Sequence, residues 1–331
     1  MLNLRENIEI NEKNSLSEFA CLAVNSKGRK VWEEKCEIRT DFQRDRDRII
    51  HCKAFRRLKH KTQVFLSPEG DHYRTRLTHT LEVAQIARTV SRALSLNEDL
   101  TEAIALGHDL GHTPFGHAGE RAIREIDGSF AHYNQSTRVC EILEKNGKGL
   151  NLTLEVLDGI KCHTTGKEAD TLEGRIVKFA DHIAYINHDI SDAIRAGVLK
   201  EDDLPKDATD FLGHTKSDRI NTMVMSLIKN SKQDIKMDEE TFCMYEKLHS
   251  FLYENVYLNP YCKSEESKVS GIVAGLYEYY IKNPKELPVD LKFVLENEGP
   301  QRATIDHIAG MTDGYAIKKY TDIYVPKSWR G

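Results

Sequence analysis

The sequence predicts an all-α protein, and three observations lead to this fold class. Apolar residues recur at spacings of three and four along most of the chain, as on the buried face of amphipathic helices. Strands do not alternate with helices, so parallel βαβ units are not expected. With 331 residues, 40% of them hydrophobic, the chain can bury a substantial core. We divide it into an N-terminal segment 1–40, a helical core 41–200 and a C-terminal helical region 201–331 packed on that core.

In the first half, segment 1–40 carries little pattern, and the first predicted helix covers 41–59 with its arginines opposite an apolar face. A short extended piece is expected at 62–67. Further helices are predicted at 78–96 and at 99–106, the latter ending at Gly107. Thr113 and Pro114 look like an N-cap and a first-turn proline that start a helix running to about residue 126.

In the second half, helical spacing predicts helices at 135–143, 152–162, 172–196, 220–228, 238–257, 269–280 and 305–320. The helix over 172–196 is apolar along its buried side but carries Asp181, Tyr185 and Asp189 at positions i, i+4 and i+8. Because burying an unpaired carboxylate is costly, these acids are expected to have partners.

The charge is unevenly distributed. The net charge is −5, which argues against a dedicated nucleic-acid-binding protein. Residues 44–76 contain ten Lys or Arg against four acids, a local +6 that leaves −11 for the rest. Such a segment suits a polyphosphate, although a solvated helical face would look similar. Neither a P-loop nor GxGxxG is present, so side chains are expected to bind any phosphate.

Cysteine usage and the N-terminus predict a cytoplasmic protein without a membrane segment. The seven cysteines are scattered and never spaced as CxxC, which is typical of a reducing compartment. The first residues are polar, and no apolar run is long enough to cross a bilayer.

Residues 108–120 contain three histidines and two carboxylates within thirteen positions. The adjacent pair His108 and Asp109 offers an imidazole nitrogen and a carboxylate oxygen to a divalent cation, and the surrounding glycines and proline permit a sharp chain reversal. A polar helix cap with surface histidines would explain any one of these residues, but it explains the set less well. A metal site is therefore the first hypothesis.

The order His79, His108-Asp109, Asp181 resembles the signature of the HD metal-dependent phosphohydrolase superfamily. Longer stretches are similar to the deoxyguanosine triphosphate triphosphohydrolase family, at 74–83, 108–120, 130–136, 180–185 and 308–313. The resemblance is dense from about 44 to 192, returns near 300–320, and leaves 197–285 without a usable motif. Segment 175–179 departs from the family by its basic character, which puts the fine substrate preference in question.

The resemblance implies an HD-domain helical core with additional C-terminal helices and one divalent metal per site. The ligands would be His79, His108, Asp109 and Asp181. Two imidazoles and two carboxylates suit Mn²⁺ best, with Mg²⁺, Fe²⁺, Ni²⁺ or Zn²⁺ as alternatives.

Further site residues follow from the same resemblance. His117 would handle the proton, oriented by Glu120 one helical turn along, while His112 and His132 would lie around the phosphates. The implied substrate-binding residues are Gln63, Arg76, Lys178, Tyr185 and Asp189. Arg76 and Lys178 would contact phosphate, and the other three would meet the deoxyribose and exclude a 2′-hydroxyl. Arg56, Arg57 and Lys61 are weaker candidates, equally well explained as a solvated face.

The predicted reaction is hydrolysis of dGTP or several dNTPs to the deoxynucleoside and tripolyphosphate, by water attack at the α-phosphorus. Two alternatives remain: another HD phosphohydrolase acting on deoxynucleoside monophosphates or an alarmone, and a dNTP sensor that does not turn its ligand over. The resemblance also implies a homo-oligomer and dNTP activation at subunit interfaces. No base-reading residues can be assigned.

Overall fold

The computed structural model describes residues 3–63, 74–164 and 166–327. Within these ranges the chain forms fifteen α-helices and no β-strand, with isolated bridges Arg29 to Thr153 and Thr62 to Thr75. The all-α prediction is therefore confirmed. No helix of the described residues is long and apolar enough to cross a membrane. The helices are α1 Leu4–Ser15, α2 Asp41–Ile50, α3 Lys53–Arg57, α4 Arg76–Ala93, α5 Glu98–Gly107, α6 Gly116–Ile126, α7 His132–Arg138, α8 Leu154–Cys162, α9 Leu172–Arg195, α10 Lys206–Leu212, α11 Lys216–Asn230, α12 Glu239–Leu252, α13 Pro260–Lys282, α14 Lys292–Ala309 and α15 Asp313–Tyr324.

The main apolar core surrounds α9. This helix packs against α4, α5 and α8, while α2 packs against α5, and α11 and α12 extend the core. Its buried positions include Ile176, Ile183 and Ile190, which recur at the spacing of one helical face. The predictions for 78–96, 99–106 and 172–196 are confirmed within a few residues at each end.

A second apolar core joins α6 to the C-terminal helices. It contains Ala122 and Ile123 from α6 together with Val273, Leu276 and Ile308 from the C-terminal region. The helix α13 packs directly on α6 and also contacts α14 and α15. The C-terminal helices thus support the helix that carries His117 and Glu120.

The predicted helix 41–59 is wrong as a single element. The chain leaves the helix after Ile50 and begins α3 at Lys53, with a 3₁₀ turn over Leu58–His60. Cys52 adopts an extended conformation, and its Sγ accepts a hydrogen bond from the N–H of Phe55 at 3.3 Å. This cap starts a new helix where periodicity alone suggested continuation.

The predicted cap at Thr113 and Pro114 is also wrong. Helix α6 begins at Gly116, after Phe115 adopts the left-handed conformation with φ of 64°. The N–H of Phe115 donates to Asp313 Oδ1 at 2.9 Å, and the hydroxyl of Thr113 donates to the carbonyl of Gly116. A contact with a residue about 200 positions away therefore sets this helix start.

The predicted helix 305–320 is likewise interrupted. Helix α14 ends at Ala309, and Thr312 caps α15 by accepting from the N–H of Tyr315. Arg57 and Lys61 donate to the carbonyls of Gly310 and Ala309, so backbone carbonyls at the C-terminal end of α14 are bonded to the first half of the chain.

Candidate active site

Three helices bring the predicted metal ligands together. His79 lies in the first turn of α4, which Thr75 caps by accepting from the N–H of Thr78. His108 follows the last residue of α5 and is joined to Asp109 in the turn toward α6. Asp181 lies in the middle of α9, which packs against both α4 and α5. The mutual packing of α4, α5 and α9 therefore places the ligands from distant parts of the sequence next to one another.

His79, His108 and Asp181 form a compact triad whose ligand atoms lie within 4.8 Å of one another. His79 Nε2 is 3.0 Å from Asp181 Oδ1, and His108 Nε2 is 3.8 Å from the same oxygen. Both imidazoles are almost fully buried, whereas the Asp181 side chain is 22% exposed. The triad thus opens to solvent on the side of Asp181.

The environment of His108 fits a metal ligand. Its Nδ1 lies 2.7 Å from the carbonyl of Ala105, so Nδ1 carries the proton and, in the neutral ring, Nε2 presents a lone pair. Within the described part of the chain this buried Nε2 forms no hydrogen bond, although Asp109 Oδ2 lies 3.4 Å away. Burial opposes protonation, but Asp109 and Asp181 raise the pKa of His108 to about 9. The cluster therefore favours a positive charge at the position where a cation would bind.

His79 is oriented by a chain of two side chains. Glu82 Oε2 lies 3.1 Å from His188 Nε2, and His188 Nδ1 lies 3.4 Å from His79 Nδ1. When the Nε2 proton of His188 faces this carboxylate, His188 Nδ1 accepts from His79 Nδ1, and His79 Nε2 is left with its lone pair toward Asp181. This is the arrangement in which an outer carboxylate fixes the tautomer of a metal-ligating histidine.

Arg76 lies against Asp109 rather than on an open surface. Its Nη1 donates to Asp109 Oδ2 at 2.7 Å and its Nη2 to the carbonyl of Thr62 at 3.3 Å. Both side chains are nearly fully buried. Although burial opposes ionisation, His108 and Arg76 hold the pKa of Asp109 well below its usual range. Asp109 is therefore an anionic ligand candidate beside the triad.

Glu120 is the centre of a second polar group. His132 lies against it, with Nδ1 3.1 Å from Oε2 and its backbone N–H donating to Oε1. Arg124 donates at 2.9 Å, and His117 Nδ1 is 3.6 Å away. Burial opposes ionisation, but the neighbouring imidazoles of His117 and His132 lower the pKa of Glu120 strongly. The His117 side chain is 62% exposed, so its ring is accessible from solvent.

His112 connects the two groups. Its ring stacks on His132 with centroids 4.1 Å apart, and its Nε2 is 3.5 Å from Asp109 Oδ1. Burial and the neighbouring Arg76 lower the pKa of His112 well below its usual value. His112 is therefore neutral between the cation candidates and the proton-handling pair.

The predicted sugar-binding residues are only partly assembled. Asp189 is fully buried and accepts a hydrogen bond from the hydroxyl of Tyr257, whose ring stacks on Tyr185 with centroids 6.0 Å apart. Burial raises the pKa of Asp189 to about 8. Gln63 lies beside Gly116, and no hydrogen bond among described residues joins it to Asp189. Lys178 is half-buried, and the described residues offer its side chain no ion pair.

Three residues near the site were not assigned from the sequence: His163, His188 and Tyr257. His163 is buried at the end of α8, with its ring centroid 5.0 Å from that of His108. His188 shares the polar stripe of α9, so the helical spacing carried a signal for it. His163 follows α8, and Tyr257 is the last residue of the π-helical turn Tyr253–Tyr257. Only tertiary packing brings the two side chains to the site.

The donor set defines a centre suited to a divalent cation next to a proton-transfer group. Imidazole nitrogens and carboxylate oxygens bind borderline cations such as Mn²⁺, Fe²⁺ and Zn²⁺. A histidine paired with a carboxylate is a common general acid or base. These are the elements of a metal-dependent hydrolase.

Comparison with known families identifies the class. The HD domain family matches residues 76–186, and the phosphohydrolase-associated domain matches residues 235–322. The first match contains the triad and Asp109, and HD domains bind divalent metals. The molecule is therefore an HD-domain hydrolase with an all-α fold.

Full-length relatives narrow the class to one family. A deoxyguanosinetriphosphate triphosphohydrolase-like protein of Caldanaerobacter subterraneus subsp. tengcongensis is 56% identical over 331 residues, covering 99% of this chain and 98% of that protein. A protein of the same name from Clostridium perfringens is 50% identical, covering 98% and 99%. This chain belongs to the deoxyguanosinetriphosphate triphosphohydrolase-like family. A solved structure of a hypothetical protein from Aquifex aeolicus aligns with a TM-score of 0.48 at 21% identity, over 83% of this chain and 67% of that one.

Proposed function

We propose that the protein hydrolyses deoxynucleoside triphosphates, dGTP or several dNTPs, to the deoxynucleoside and tripolyphosphate by attack of water on the α-phosphorus. The observation that carries the proposal is the polar stripe on α9. Asp181 belongs to the triad, and Tyr185 and Asp189 follow one and two turns later against Tyr257. One turn spans about 5.4 Å, so a single helix face would contact both the α-phosphate and the adjoining sugar. The names of the full-length relatives support the same substrate class.

The proposed cation is Mn²⁺, held by His79, His108, Asp109 and Asp181. A divalent cation supplies Lewis acidity, which polarises a phosphoryl oxygen and acidifies water. The protein contributes the fixed tautomers of His79 and His108 and the anionic state of Asp109.

The proton is proposed to move through His117. The ring of His117 is exposed to solvent, whereas the buried carboxylate of Glu120 is fixed by contacts with His132 and Arg124. Placed next to the carboxylate of Glu120, His117 can donate a proton to the leaving 5′-oxygen or take one from water. His112, Arg76 and Lys178 would complete the phosphate side, where neutral and cationic groups offset the charge that develops.

The deoxyribose is proposed to lie on Tyr185, with the 3′-hydroxyl toward Asp189 and Gln63. Close contact with the Tyr185 ring would leave no room for a 2′-hydroxyl, which discriminates against ribonucleotides by steric exclusion.

The test is a product assay on the purified full chain with Mn²⁺ and each dNTP. Intact tripolyphosphate and the deoxynucleoside are expected, and pyrophosphate or orthophosphate as the initial product would refute the proposal. Activity confined to deoxynucleoside monophosphates or an alarmone would favour a different HD hydrolase. A thermal shift with dNTP but no product would indicate a sensor.

A matched pair of variants tests the role of His117. We expect His117→Ala to lower kcat by roughly 10²–10⁴-fold, the usual range for a general acid or base. Its melting temperature should stay unchanged, because the side chain is 62% exposed. His214→Ala removes another exposed histidine, 74% exposed and paired with Asp210, and should retain full activity. Equal activity of the two variants would exclude His117 from proton transfer.

A further inference from the structure

A second group of potential ligands lies directly beside the triad. One ligand atom from each of Asp109, His132 and His163 falls within a 4.8 Å cluster. Asp109 and His163 are almost fully buried, and the His132 side chain is 14% exposed. The ring of His163 also contacts that of His108, with centroids 5.0 Å apart. The two groups of ligands are therefore adjacent, and Asp109 lies between them.

The protonation of His163 is fixed by its own helix. Its Nδ1 lies 2.7 Å from the carbonyl of Ile160, which can only accept a hydrogen bond. Nδ1 therefore carries the proton, and Nε2 presents a lone pair to the cluster. This is the geometry found at His108, whose Nδ1 donates to Ala105 in the same way.

The protonation of His132 is fixed by Glu120. Its Nδ1 lies 3.1 and 3.2 Å from the two carboxylate oxygens, so this nitrogen donates. In the neutral ring, His132 Nε2 then also presents a lone pair. The two Nε2 atoms of His132 and His163 face each other at 3.3 Å. Two lone pairs at this distance repel, and a positive charge between or beside them removes the repulsion.

We propose that Asp109, His132 and His163 bind a second divalent cation, and that Asp109 bridges it to the cation of the triad. Two imidazoles and a carboxylate suit Mn²⁺, Fe²⁺ or Zn²⁺. Oδ2 of Asp109 faces His108 and Arg76, and Oδ1 faces His112, whose ring stacks on that of His132. In this assignment, His132 binds a cation, and Glu120 orients the His132 ring, as a carboxylate orients a ligating histidine in other metal centres.

The neighbouring combination of His112, Glu120 and His132 is a poorer site, although its ligand atoms also lie close together. Glu120 already accepts hydrogen bonds from Arg124, from the His132 ring and from the His132 backbone. A cation there would displace these donors, whereas among the described residues the Nε2 atoms of His132 and His163 contact each other and no fixed donor.

A counting experiment tests the second site, and it does not depend on which phosphate compound the enzyme hydrolyses. The full chain is stripped with a chelator, dialysed against saturating Mn²⁺ at neutral pH, and assayed for bound manganese. Two ions per chain are expected for the wild type, and one each for His163→Gln and Asp181→Asn. The matched control His307→Gln changes another buried histidine, packed on Tyr280, and should keep both ions.

Electron paramagnetic resonance gives an independent readout. Two adjacent Mn²⁺ ions couple magnetically, so the wild type should show a coupled spectrum and His163→Gln that of an isolated ion. One ion per chain in the wild type would overturn the proposal. Two ions in His163→Gln would also overturn it, because the second ion would then lie elsewhere. If His163→Gln does not fold, the count and spectrum of the wild type decide.

Discussion

Histidine tautomers are set one residue at a time around the candidate centre. His108 and His163 each donate Nδ1–H to a carbonyl three residues earlier in the chain, of Ala105 and Ile160. His79 is oriented through His188 instead. All three rings therefore present Nε2 to the site, which is the form that a cation requires.

Asp189 gives a pH-dependent prediction that does not depend on catalysis. Burial raises its pKa to about 8, whereas an unfolded aspartate titrates near 3.9. The folded state therefore binds the extra proton, so the contribution of Asp189 to stability is complete below about pH 4 and is lost as the pH rises through about 8. Relative to the wild type, Asp189→Asn should become more stable with rising pH.

The measurement is the urea midpoint of both proteins from about pH 4 to about pH 9. Asp210→Asn is the control, since that side chain is 71% exposed. A difference between wild type and Asp189→Asn that does not vary with pH would contradict the raised pKa.

At the scale of elements, the turn between α5 and α6 fits closely against α7. A Cβ on Gly111 would lie 2.1 Å from the backbone nitrogen of Ser136 and 2.3 Å from the carbonyl carbon of Gln135. The hydroxyl of Ser136 also donates to the carbonyl of His108 and accepts from the N–H of Gly111. The turn that carries His108 and Asp109 is thus fixed by backbone contact with the helix that carries His132.

Gly111→Ala should therefore destabilise the protein and disturb metal binding together. The backbone of α7 must move, and overpacking of this kind costs roughly 1–3 kcal/mol or more. Urea unfolding and Mn²⁺ affinity measure the two effects. Gly128→Ala is the matched control because a Cβ there meets nothing within 4 Å. If the urea midpoint of Gly111→Ala equals that of the wild type, the close contact of Gly111 with the backbone of α7 is wrong.

At the scale of the whole molecule, the C-terminal helices bind the segments that border the site. Asp313 at the start of α15 accepts from the N–H and hydroxyl of Thr62 and from the N–H of Phe115. Lys61 is buried and donates to the carbonyls of His112 and Ala309. The C-terminal region thus fixes both the start of α6 and the residues next to Gln63.

Asp313→Asn tests this coupling over a long distance. The amide retains one accepting oxygen and loses the other, so we expect a loss of about 1–3 kcal/mol in the free energy of unfolding. Displacement of Phe115 and Thr62 should also lower kcat by roughly tenfold or more. Urea unfolding and the tripolyphosphate assay measure these effects.

Asp290→Asn serves as the control, because Asp290 pairs with Lys53 at the surface and is 42% exposed. Asp290→Asn should change neither the free energy of unfolding nor kcat appreciably. A catalytic loss in Asp290→Asn equal to that in Asp313→Asn would show that the effect is not specific to the contacts of Asp313.

The sequence by itself determined the fold class and the main helices. The apolar spacing of α4, α5 and α9 is local information, and each helix buries one face whatever its neighbours are. The same pattern placed His79, His108, Asp109 and Asp181 near predicted helices, and their roles as ligands remain predictions.

Only the tertiary structure decided which side chains meet and how they are protonated. The start of α6 depends on Asp313, and the break between α14 and α15 lies where Arg57 and Lys61 bond to backbone carbonyls. His163 comes to the site because α8 packs against α5 and α9. Periodicity describes the neighbours within one helix, whereas hydrogen bonds between distant segments form only once the helices have packed.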